Sequence, residues 1–238
     1  MQISQSFLRK NHQLSSSNYL LKTCCILFLF SIFFSCSTST ETERTSRVDT
    51  LPYYEDAIFT PHWLASDSEE LKQFHQIPSF QLVNQNGDTI TEQTFKDKIF
   101  VVDFFFTTCP GICPKMTASM GSLQSKIEGL EDVLLMSHSV MPRYDSVAIL
   151  KDYAIEHGVL DKKWHLVTGD RDHIYDLGRN YYFVEEDLGL EKEPDDFLHT
   201  ENFVLIDKNR HIRGIYNGLN KVAVNQLYAD IKTLSSER

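Results

Sequence analysis

The sequence predicts an α/β domain, a central mixed sheet flanked by helices, with an extra N-terminal β-hairpin. Three observations carry this. Val101-Val102-Asp103-Phe104-Phe105-Phe106 is an apolar, aromatic-rich run of strand length, nearly continuous as in a strand covered on both faces. Further apolar runs alternate downstream with segments of helical period. Two pairs of short strand-like runs, one ahead of the central run and one near the C-terminus, are joined by turn residues.

In chain order, Phe80-Gln81-Leu82-Val83 and Asp88-Thr89-Ile90 flank Asn84-Gln85-Asn86-Gly87, a hairpin with Asn-Gly at its turn. The central strand follows, from Ile99 to Phe106, and ends in Thr107-Thr108-Cys109-Pro110-Gly111-Ile112-Cys113-Pro114. Pro114 lacks an amide hydrogen and disfavours helical backbone at Cys113, so the next helix is expected to begin just after Cys113. Cys109 and Cys113 are then expected on a constrained loop. Met116, Met120, Leu123 and Ile127 recur at helical spacing, and Gly129 ends that helix. Val133 to Met136 is a second buried strand. Ala148, Leu150, Tyr153 and Ala154 mark a helix closed by Gly158, Trp164 to Val167 a short strand, and Ile174 to Tyr181 another helix. Phe203 to Ile206 and His211 to Tyr216 pair around Asp207-Lys208-Asn209-Arg210, and Val222 to Leu234 is a closing amphipathic helix. This order is that of a thioredoxin-like fold, with the paired thiols at the end of the first central strand, where open α/β sheets place their chemistry.

The chain has 238 residues, enough for one well-cored domain with appendages, and a net charge of −10 argues against nucleic acid as partner. Residues 1–36 carry Arg9, Lys10 and Lys22 ahead of an apolar stretch that runs to Cys36. That is an export signal or a membrane anchor. The Ser35-Cys36 junction resembles a bacterial lipoprotein signal, in which Cys36 becomes the lipidated first residue; an uncleaved anchor is the other reading. Both put the domain outside the cytoplasm, membrane-anchored and facing the periplasm. Residues 37–60 read as a polar linker and irregular lead-in, and 61–238 as the domain.

Cys109 and Cys113 are the only thiols in that domain. A single close pair is not the framework of a disulfide-rich scaffold. It is a soft metal site suited to Cu(I), a redox couple, or two structural cysteines. The amides at the start of the following helix favour thiolate over thiol. A third ligand would separate copper from disulfide chemistry. Most of the nine histidines carry no sign of a role. His199 differs, because Asp195-Asp196-Phe197-Leu198-His199-Thr200-Glu201-Asn202 leads into the strand at Phe203, beside the dithiol loop in a sheet of this order. Spacing alone leaves His199 between a ligand and a polar loop residue.

The stretch Thr107 to Pro114 together with His199-Thr200-Glu201-Asn202-Phe203-Val204-Leu205-Ile206-Asp207 resembles the Sco/SenC family of copper-binding thioredoxin-like proteins. Ser139-Val140-Met141-Pro142-Arg143-Tyr144-Asp145-Ser146 and Trp164-His165-Leu166-Val167-Thr168-Gly169 are similar to two further family blocks. The resemblance implies copper, as Cu(I) or Cu(II), held by Cys109, Cys113 and His199. It also implies assistance in assembling the CuA centre of cytochrome c oxidase. Implied partners are the oxidase subunit carrying CuA, other copper chaperones or thiol reductases, and a membrane at the N-terminus. Such a protein is a metallochaperone. The alternative is an enzyme, a thiol–disulfide oxidoreductase whose catalytic pair is Cys109 and Cys113. Gly111 stands where the family often has an acidic residue, and Met141-Pro142 where it usually has Asp-Pro. Met116 is expected in the core.

Overall fold

The computed structural model describes residues 45–185 and 197–237. Cys36 and the export segment, like residues 186–196, lie outside the described residues. The elements in order are a one-turn helix α1 (Glu69–Lys72), β1 (Gln81–Asn84), β2 (Thr89–Thr91), β3 (Ile99–Phe105), α2 (Cys113–Ile127), β4 (Val133–Ser139) and α3 (Val147–Glu156). β5 (Trp164–Thr168), α4 (Arg171–Asp176), β6 (Asn202–Ile206), β7 (Ile212–Asn217) and α5 (Lys221–Ser236) complete it.

The strands form one seven-stranded mixed sheet, in the order β2-β1-β5-β4-β3-β6-β7. β3, β4 and β5 are parallel to one another, and both hairpins add antiparallel strands at the edges. Every residue of β3 and β4 is buried, which is why their sequences read as continuous apolar runs. The pleat divides β3 between two cores. Ile99, Val101 and Phe105 face α2, α3 and α5, with Met116 and Leu123; Phe100, Val102 and Phe104 face Phe80, Phe95, Ile174 and Tyr182. Met116 is fully buried, as expected.

The two hairpin turns follow one device. Asn84 Oδ1 accepts the amides of Asn86 and Asp88, both at 2.9 Å, and Gly87 takes the positive φ of 81°. Asp207 Oδ1 accepts the amides of Asn209 and His211, also at 2.9 Å. Two boundaries differ from the sequence reading. α4 begins at Arg171 because Asp170 caps it, accepting the His173 amide at 2.9 Å, and the helix then widens into a π turn over Leu177–Tyr181. α2 includes Cys113 as its first residue: Ile112 is the cap, and its carbonyl accepts the amides of Lys115 and Met116, both at 3.0 Å. Pro114 falls in the first turn, where its missing N–H leaves no bond unmade.

The register fixes which ends meet. β3 pairs antiparallel with β6, Phe100 against Ile206 and Val102 against Val204. The segment before β6 therefore lies at the same end of the sheet as the loop after β3, and the β6–β7 turn lies at the opposite end. The chain enters the domain near that opposite end: Tyr54 bridges to Ile212, and the carbonyls of Leu51 and Pro52 accept from the Arg213 guanidinium.

Candidate metal centre

The loop after β3 is pinned before it reaches the first cysteine. Asp145, wholly buried, accepts the Thr107 hydroxyl at 2.6 Å, the Thr107 amide at 3.3 Å and the Ser139 hydroxyl at 2.5 Å. One carboxylate thus ties the ends of β3 and β4 together. A turn closed by the Cys109 amide on the Phe106 carbonyl then leads into the start of α2.

Cys109 and Cys113 are both free, with no disulfide between them, and each side chain perturbs the other. Cys109 is half-buried and Cys113 buried. Burial alone pushes the Cys109 thiol up, but the hydrogen bond from Cys113 and the amides of Cys113, Gly111 and Ile112 outweigh it and hold the thiol below its usual range. Burial, then the bond to Cys109, pushes the Cys113 thiol up to about 12. The expected thiolate thus forms at Cys109 alone: its sulfur faces the free amides of the helix start, whereas Cys113 lies within the first turn among the core side chains. Gly111 has space for a side chain, since an added Cβ would meet only the Cys109 sulfur, at 4.0 Å.

His199 lies where the register places it, in the segment before β6. Its neighbours Leu198 and Thr200 are buried, and its own side chain is exposed. Two residues back, the Phe197 ring meets Phe106 edge-on at 5.4 Å, which joins this segment to the start of the cysteine loop. The structure brings Cys109 and Cys113 together. It does not bring His199 into contact with them: among the described residues no three His, Cys, Asp or Glu side chains stand as a ready metal cage. Phe197 also walls a cleft of about 630 Å³ with Met141, Pro142, Tyr144, Arg171 and Tyr175, beside the same loop.

Sequence reasoning missed two residues. Asp145 carries no local signal, because its partner Thr107 is 38 positions away. Asp103 does carry one, as the single charge inside an all-buried strand. It lies on the face of β3 that looks toward Cys113, and burial pushes its carboxyl up to about 7, with a bond to Ser137 pulling the other way. Ser137 in turn accepts the Trp164 indole N–H at 2.8 Å.

The sequence profile described as SCO1/SenC matches residues 68–236. The chain belongs to the SCO1/SenC family. It is similar to the SCO1 protein homolog of Bacillus subtilis, 28% identical over 68% of this chain and 84% of the relative. The crystal structure of a SCO1/SenC family lipoprotein from Bacillus anthracis superposes with a TM-score of 0.60 at 30% identity, over 68% of this chain and 96% of that one. BsSco, described as a Sco-family cytochrome c oxidase assembly protein with a disulfide switch, gives 0.58 at 27%, over 69% and 95%. ScoI of Bradyrhizobium japonicum, solved with copper bound, shares the fold at 23% identity and 0.52, over 66% and 98%. The expected thioredoxin-like α/β architecture is that of these SCO1/SenC structures.

Proposed function

We propose that this SCO1/SenC chain binds one copper ion through Cys109, Cys113 and His199 and hands it to the oxidase subunit that carries CuA. The observation that carries the reading is the reduced sulfur pair, one thiol held low and half-exposed, the other buried beneath it. Two sulfurs are a soft donor set that fits Cu(I), and an added imidazole makes Cu(II) acceptable. Copper is cargo here, received and passed on.

Each residue has a distinct task. Cys109 is the accessible thiolate that meets the incoming ion. Cys113 holds its proton until metal displaces it, so affinity rises with pH, by about tenfold per unit for each proton released. His199 is on the surface segment tied to the loop by the Phe106–Phe197 contact, and a movement of that segment completes the set. The cleft walled by Phe197, Met141 and Tyr144 adjoins the segment that carries His199 and offers a receiving protein room to approach. The domain is held to a membrane on the periplasmic side through a lipidated Cys36; an intact mass of the membrane-extracted chain that lacks an acylated Cys36 would exclude this tether.

The deciding experiment is anaerobic Cu(I) loading of the chain beside His199→Ala and Cys109→Ser. The expected result is one copper per chain, bound more weakly in both variants. Full retention in His199→Ala would remove His199 from the ligand set.

The asymmetry of the two thiols also favours a second reading, a thiol–disulfide oxidoreductase. The Cys109 thiolate attacks a partner disulfide, and one partner sulfur leaves as thiolate. The Cys113 sulfur then displaces the partner's second sulfur from Cys109, its one proton passing to that departing thiolate; the first takes its proton from solvent. Two electrons reach the partner, and a Cys109–Cys113 disulfide remains. Turnover that survives loss of His199, with no copper retained, would replace the first reading by this one.

A further inference from the structure

At the end of the sheet opposite the thiols, the β6–β7 turn, the approach to β3 and α1 enclose a cleft of about 450 Å³. Its charged lining is Lys72, Lys96, Lys208 and Arg210 against a single carboxylate, Asp97. Four cations share one concavity in a chain whose net charge is −10. Two have partners: Lys72 meets Glu69 at 2.6 Å and Lys208 meets Asp132 at 3.2 Å, and neither of those carboxylates lines the cleft. Arg210 keeps a buried Nη1 with no hydrogen-bond partner among the described residues. That atom is closed to solvent, so the rest of the half-buried guanidinium is what faces the cleft. Ser66, Gln76 and Asn209 add neutral polar groups to the same wall.

We propose that this cleft binds a phosphate-bearing anion, either free phosphate or the headgroup of an anionic phospholipid. A tetrahedral oxyanion offers acceptors in several directions at once. That suits ammonium groups and a guanidinium that converge from three separate chain segments better than a planar carboxylate would. The convergence of four cations on one cleft carries the proposal, which stands without the copper reading.

The test uses the full chain in neutral maltoside micelles, followed by the backbone amide resonances of residues 96–97 and 208–211. It is titrated separately with inorganic phosphate and with short-chain phosphatidylglycerol at fixed ionic strength. Saturable shifts are expected, weakened about tenfold by Lys96→Gln with Lys208→Gln and strengthened by Asp97→Asn, which removes the one carboxylate among the described lining residues. Alkylation of Cys109 at the parent rate verifies that the variants are folded. Saturation by phosphate as tight as by the lipid assigns the free anion; tighter saturation by the lipid assigns the headgroup. No saturation by either, or shifts unaltered by the double substitution, overturns the site.

Discussion

Cys109 and Cys113 differ in what surrounds each sulfur, and the difference is measurable one residue at a time. Cys109 faces backbone amides and its thiol is held low, whereas Cys113 is packed in the core and pushed up to about 12. Brief iodoacetamide treatment at neutral pH should therefore modify Cys109 and spare Cys113, read by peptide mass; equal labelling would contradict the asymmetry. Asp145 is the second residue with a definite cost. Asp145→Ala leaves the Thr107 hydroxyl and amide and the Ser139 hydroxyl without their acceptor. A loss of about 3 kcal/mol is expected in urea unfolding, with the cysteine loop loosened as well. Asp145→Asn should lose less, since one oxygen and the shape remain.

Among the elements, the π turn after α4 controls the segment that carries His199. Gly178 sits where an added Cβ would come within 2.6 Å of Leu198 Cδ1 and 3.1 Å of Phe104 Cε1. Leu198 is fully buried and has little room to yield. Gly178→Ala should cost about 1–3 kcal/mol and displace the chain at Leu198, hence at His199. The expected signature is weaker copper binding with Cys109 alkylation unchanged. Copper affinity equal to the parent's would separate this helix from the site. The element scale also shows what the sequence discloses and what it hides. β3, β4 and both hairpins are legible because burial on two faces and turn residues such as Asn84, Gly87 and Asp207 write local signals. The start of α2 is misread by one residue, since Pro114 is tolerated anywhere in a first turn and Cys113 has only to reach the core. The start of α4 is missed because its cap, Asp170, precedes the apolar spacing. The closeness of Cys109 and Cys113 follows from only three intervening residues along the chain, but the position of His199 depends on a strand pairing made across the whole fold.

For the molecule as a whole, two buried ionisable groups on opposite faces of the sheet oppose each other in pH. His138 is wholly buried against Phe104 at 4.7 Å, with no hydrogen-bond partner for either ring nitrogen among the described residues, and burial, partly opposed by the Asp103 backbone, lowers its pKa to about 3. The folded state thus resists a proton that the unfolded chain accepts near 6.5. The contribution of His138 is complete above about 6.5 and is lost as pH falls toward 3. Asp103 has the reverse sign. Its raised value, about 7, means that the folded state keeps a proton which the unfolded chain releases near 3.9, so its contribution is complete below about 3.9 and is lost as pH rises to 7. Between those limits the two slopes, each up to about 1.4 kcal/mol per unit, nearly cancel. Relative to the parent, Asp103→Asn should gain stability as pH rises from 4 to 6.5, and His138→Gln should lose it over the same interval. Parallel curves for parent and variants in denaturant unfolding would contradict both assignments.

β3 spans the sheet from the end where the chain enters to the end where the sulfurs lie. Its seven residues amount to about 23 Å. If a bilayer lies beneath the first end, the thiols ride above the lipid by at least that height, like a lamp on a short post. Under the copper hand-off proposed above, a receiving site must then lie at a similar elevation, or the domain must tip over to reach it. A receiving site flush with the bilayer would stay out of reach of an upright domain, whatever its affinity for copper.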